Sequence, residues 1–78
     1  GGNYPALHIT AAKGSDPVAD VIDDLDALYG EEAALRVWLD EGGFHWLLKV
    51  RNGVQERHLQ WLTSVGATFT YTPYPQPC

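Results

Sequence analysis

Apolar and polar residues alternate along YPALHIT (4–10), with Leu7 and Ile9 on one side of the chain and His8 and Thr10 on the other. That two-residue period predicts a strand with one face against a core. The period then lengthens. In GSDPVADVIDDLDALYG (14–30) Val18, Val21, Ile22, Leu25, Leu28 and Tyr29 recur at helical spacing and form one apolar stripe, with aspartates over the remainder. Asp16 is placed to cap this helix and Pro17 to occupy its first position. Asp20 favours the positive end of the helix dipole, and Gly30 offers a left-handed stop.

The next stretch, EEAALRVWLDEGG (31–43), fits two patterns. A short helix would gather Ala34, Leu35 and Trp38, whereas a strand sets Leu35, Val37 and Leu39 against Arg36 and Trp38. The strand is preferred, because Gly30 already ends a helix and DEGG followed by FHWLLKV reads as a hairpin. A four-residue loop at 40–43 pairs Leu39 with Phe44, Val37 with Trp46 and Leu35 with Leu48, so core side chains meet core side chains across the hairpin. In NGVQERHLQWLTSVGA (52–67) the Asn-Gly pair could itself turn a hairpin. A helix accounts for more: Val54, His58, Trp61, Leu62 and Val65 share one face, Asn52 and Gln55 have capping-box spacing, and Gly66 closes the segment. ATFTYT (67–72) alternates again, Phe69 and Tyr71 against Thr68, Thr70 and Thr72. The prolines of PYPQPC (73–78) cannot continue a central strand and suit a linker or frayed end. Gly1–Tyr4 is set aside as a processed or flexible start, leaving one domain over residues 5–72.

The predicted order is βαββαβ. Right-handed crossovers place both helices on one side of a four-stranded antiparallel sheet, the ferredoxin-like α+β sandwich, with strand order 4-1-3-2. Leu7, Ile9, Leu35, Val37, Leu39, Phe44, Trp46, Leu48, Val50, Phe69 and Tyr71 then face the helices. The other face is left open and carries His8, Thr10, Arg36, Trp38, His45, Leu47, Lys49, Arg51, Thr68, Thr70 and Thr72. An uncovered sheet face with a tryptophan, a leucine, two histidines and three bases is a candidate binding surface, since contiguous exposed aromatic and apolar area in so small a domain marks contact sites.

Composition narrows the choice of partner. The chain has 78 residues, a net charge of −5 and 45% hydrophobic residues. A domain of this length buries only roughly 60% of its unfolded surface. No apolar run reaches the roughly 20 residues of a membrane span, so a soluble protein is expected. The single cysteine, Cys78, excludes an internal disulfide and a four-cysteine zinc site. A reducing, cytoplasmic setting is slightly favoured. Seven of the ten acids fall between residues 16 and 32, while four of the five bases follow residue 35. The acidic total argues against a general duplex binder.

Three functions remain. The first is a non-enzymatic interaction module that binds a protein, or a second copy of itself, through Trp38, Arg36, His45, Leu47, Lys49, His8 and Arg51, because interface centres are rich in Trp and Arg. The second is single-stranded RNA or DNA on the same face, with Trp38 stacking on a base and Arg36, Lys49 and Arg51 meeting phosphates. GGFHWLLKV matches the third strand of RNA recognition motif domains only at Gly43, Phe44, Trp46 and Leu47, and alternation turns Phe44 and Trp46 toward the helices. The third is an inhibitor that presents Asp20, Asp23 and Asp24 to a basic partner.

Catalysis lacks a nucleophile paired with a base, or two carboxylates in a dry cleft. No cofactor is implied. His8 and His45 can neighbour each other on adjacent strands, but a metal would need further ligands. His58 is expected as a core-boundary histidine bonded to backbone, and KGSDP offers Lys13 and helix amides to an anion only if Asp16 does not take the cap.

Overall fold

The computed structural model describes residues 4–12 and 16–73. Strand β1 (Ala6–Ala11) leads to helix α1 (Asp16–Tyr29) and a single 3-10 turn at Gly30–Glu32. Strands β2 (Ala33–Asp40) and β3 (Gly43–Val50) form the hairpin, followed by helix α2 (Glu56–Ser64) and strand β4 (Thr68–Thr72). The strands make one antiparallel sheet in the order β2-β3-β1-β4, the ferredoxin-like arrangement. Residues 31–41 hold no α-helix, so Trp38 lies on a strand.

Leu7, Ile9, Ile22, Leu25, Leu48 and Leu62 are fully buried, and Val18, Val21, Trp46, Val50 and Val54 complete the core. Apart from Val54, these residues come from the helix-facing side of β1 and β3 and the inner stripes of both helices, so α1 and α2 cover the same face of the sheet. The hairpin keeps the anticipated register, with Leu39 opposite Phe44, Val37 opposite Trp46 and Leu35 opposite Leu48. Its loop is shorter than expected, because Asp40 pairs with Gly43 and only Glu41 and Gly42 turn.

Four local expectations are corrected. First, Asp16 is already helical as the first described residue of α1 rather than its cap; Lys13 and Cys78 lie outside the described residues. Second, Asn52 and Gln55 do not form a capping box. Asn52 Nδ2 donates to Glu32 Oε1 at 2.6 Å, and Gln55 occupies the N-cap of α2 without a side-chain bond. Val54 therefore enters the core from the loop before the helix. Third, Leu28 is 64% exposed, since the last turn of α1 rotates it away from the sheet. Fourth, Val37 and Leu39 are 55% and 51% exposed although they share the helix-facing side with Trp46. β2 is the outermost strand, and the helices do not reach over its distal half.

The glycine stops are as expected, with Gly30 at φ 58° and Gly66 at φ 78°. Among the described residues no helix is long and apolar enough to cross a membrane.

Candidate docking surface on the open sheet face

Antiparallel register sorts the open face into rows that cross the four strands. One row is Arg36, Leu47, His8 and Thr70, and its neighbour is Trp38, His45, Thr10 and Thr68. Large side chains two residues apart on one strand, or diagonal across two, are within reach of each other. Trp38, His45 and His8 therefore meet.

Their geometry is specific. His8 Nε2 and His45 Nδ1 lie 3.2 Å apart, with ring centroids at 5.4 Å and planes within 11°, so the two imidazoles meet edge to edge in nearly one plane. Trp38 is parallel to both, 5.0 Å from His45 at 4° and 5.7 Å from His8 at 8°. These separations are too short for an indole beside an imidazole and are those of offset stacking. Trp38 thus rests across the histidine pair, and the Arg36 guanidinium carbon lies 6.0 Å from the indole centroid. Burial grades outward: His8, His45 and Leu47 are half-buried, Trp38 is 37% exposed, and Arg36 and Lys49 are exposed.

A fourth residue organises the group. Asp40 Oδ1 accepts from the Gly42 backbone N–H at 2.7 Å and from His45 Nε2 at 2.8 Å. These bonds, that from His45 above all, hold the Asp40 carboxyl below its ordinary value. A carboxylate only accepts, so it assigns the proton of neutral His45 to Nε2 and leaves Nδ1 to accept from His8 Nε2–H. The chain Asp40–His45–His8 fixes ring orientation and tautomer beneath the tryptophan. Sequence reasoning missed Asp40 because DEGG was read as loop. Its signal was an aspartate two residues before a glycine at a turn, the spacing at which a carboxylate closes onto backbone.

The anticipated residues do not all converge. Trp38, Arg36, His45, Leu47 and His8 form one group, and Lys49 sits one row away, opposite Ala34 and Ala6. Arg51 is past the end of β3, its N–H bonded to Glu32 O at 2.9 Å, in a surface hollow shared with Tyr4, Glu31 and Glu32. Asp20, Asp23 and Asp24 are exposed on α1, behind the sheet. Among the described residues no three His, Cys, Asp or Glu side chains are placed to share a metal ion.

On the helix side, a cleft of about 390 Å³ includes Tyr29, Glu32, Asn52, Arg57 and His58 in its lining. The Tyr29 hydroxyl accepts from Gln55 N–H at 2.8 Å and donates to His58 Nδ1 at 2.6 Å. The sequence led to the expectation of a backbone bond for His58; its Nδ1 is instead bonded to the Tyr29 side chain. Burial, with a smaller contribution from the Arg57 charge, holds the imidazole below its ordinary value and keeps it neutral. Tyr29 and His58 use these polar atoms to hold the end of α1 to α2, and Glu32 and Asn52 tie the 3-10 turn to the segment after β3.

Comparison of the chain with protein-family models, curated proteins and solved structures finds no match.

Proposed function

We propose that this protein is a non-enzymatic interaction module whose open sheet face docks a protein partner. The observation that carries the reading is the seating of Trp38. Its ring is parallel to the His8–His45 pair, beside Arg36 and Leu47, with Asp40 orienting the imidazoles from below. An aromatic anchor already fixed by its neighbours loses little side-chain entropy on binding, and Trp and Arg dominate the energetic centres of interfaces. Arg36 and Lys49 on either side of Leu47 select a partner that offers an apolar side chain next to a carboxylate.

The experiment selects binders from a displayed random-peptide library on the full chain, then maps them by NMR. The reading expects peptides that shift the Trp38 indole and the amides of β2 and β3, and that bind Trp38→Ala at least about tenfold more weakly, a loss of about 1.4 kcal/mol. Equal affinity for the variant refutes it. An unstructured single-stranded oligoribonucleotide at low salt is titrated in parallel. Shifts on the same residues that vanish as salt is raised would transfer the face to nucleic acid, since phosphate contacts carry that salt dependence.

A further inference from the structure

The open face ends at β2, and β2 has a second unused surface, its edge. In an antiparallel pair, residues that exchange backbone bonds with the neighbouring strand alternate with residues whose N–H and C=O point away. Arg51 N–H donates to Glu32 O at 2.9 Å in the same register that pairs Ala33 with Val50. Glu32, Ala34, Arg36, Trp38 and Asp40 are therefore the positions bonded toward β3. The Ala33 N–H is taken by Gly30 O, and among the described residues the backbone groups of Leu35, Val37 and Leu39 point to the free edge. The side chains of Ala33, Leu35, Val37 and Leu39 lie on the helix side, where Val37 and Leu39 are more than half exposed. Among the described residues, an edge from Leu35 to Leu39 with free backbone groups and exposed apolar side chains is a template for another strand. No proline, bulge or lysine interrupts it.

We propose that β2 pairs antiparallel with β2 of a second copy of this chain, about a two-fold axis through Val37, to form a continuous eight-stranded sheet. The sequence of the strand selects this occupant and register. Centring on Val37 sets it against its own copy and Leu35 against Leu39, so the outward-pointing positions meet apolar against apolar. On the open face the same register sets Arg36 opposite the copy's Trp38, the cation and ring that already neighbour each other within one chain. Shifting the axis to Arg36 juxtaposes two guanidinium groups. Shifting it to Trp38 sets Leu35 against Glu41. The pairing rests on the backbone and helix side of β2 rather than on docking by Trp38 and His8, so either can fail while the other stands. One strand edge is a small contact area, which places the association in the weak, concentration-dependent class.

Sedimentation equilibrium of the full chain over a wide concentration range tests this. The expected result is a mass that climbs toward twice the monomer value. Val37→Lys and Val37→Pro should each hold the protein at monomer mass. The Val37 N–H points to the free edge, so proline there removes no bond to β3, and the far-ultraviolet spectrum should be unchanged. In a Cys78→Ser background, Val37→Cys should cross-link on mild oxidation, because directly opposed strand residues lie about 5.5 Å apart at Cα, within disulfide reach. Thr70→Cys, on the opposite edge strand, should not cross-link. A wild-type mass that stays monomeric, or association that survives in both folded Val37 variants, overturns the proposal. Association lost in those variants but without the Val37→Cys cross-link overturns the axis through Val37.

Discussion

Tyr29 and His58 show how a single hydroxyl can hold two elements together. The Tyr29 oxygen takes Gln55 N–H and gives its proton to His58 Nδ1. Tyr29→Phe leaves both partners without it and is expected to cost about 1–3 kcal/mol, the range for a half-buried polar group deprived of its bond, read as a lower urea midpoint. Protonation of His58 attacks the same contact. The unfolded chain protonates His58 near its ordinary value of 6.5, whereas the folded protein resists until a lower pH. Between those two values the unfolded state binds more protons, so this contribution to stability is full above 6.5 and is lost as pH falls through that window. It stops declining once the folded imidazole is itself protonated. NMR titration should place the His58 midpoint below 6.5, and His58→Gln should flatten the dependence of unfolding temperature on pH relative to wild type.

At the scale of elements, much of the fold was legible in the sequence because apolar spacing is a constraint on both partners of a contact. Leu35, Val37 and Leu39 could meet Leu48, Trp46 and Phe44 in one register only, and that register is present. The shared apolar face of α1 and the alternation of β1 and β4 were readable in the same way. Alternation assigns a side, however, and not a cover. It put Val37 and Leu39 on the helix side but carried no information on how far two helices of 14 and 9 residues extend over an edge strand. Capping patterns failed for a related reason, as Asn52 and Gln55 found tertiary partners that outweighed local ones. At the site, the neighbouring histidines and Trp38 could be anticipated from strand parity. The role of Asp40 was carried only by its spacing to Gly42, and its bond to His45 depends on the turn closing at Glu41–Gly42. Two glycines separate conformational from steric demand. Gly30→Ala, at φ 58° with nothing near the added methyl, should cost about 1 kcal/mol or slightly more. Gly43→Ala combines φ 112° with a methyl carbon 2.5 Å from Ala11 O, on the adjoining strand. It should be several-fold more damaging in denaturant melts, since the strand itself must move.

For the whole molecule, small size makes each core position count. A stability of roughly 0.05–0.15 kcal/mol per residue leaves a chain of 78 residues little reserve against a large cavity. Leu25 is fully buried between α1 and the sheet, and Leu25→Ala is expected to cost about 2–5 kcal/mol, read as a large drop in unfolding temperature or outright loss of cooperative melting. The segment between β3 and α2 shows how the parts are tied. Val54 N–H donates to the Tyr71 hydroxyl at 2.9 Å and Gln55 N–H to the Tyr29 hydroxyl at 2.8 Å. Two successive amides outside any helix or strand are thus held by side chains from β4 and from α1. Loop amides ordinarily exchange with solvent through small local fluctuations. These two can be released only by separating elements from opposite ends of the chain, so their deuterium uptake should be as slow as that of the central strands and should report global opening from within a loop.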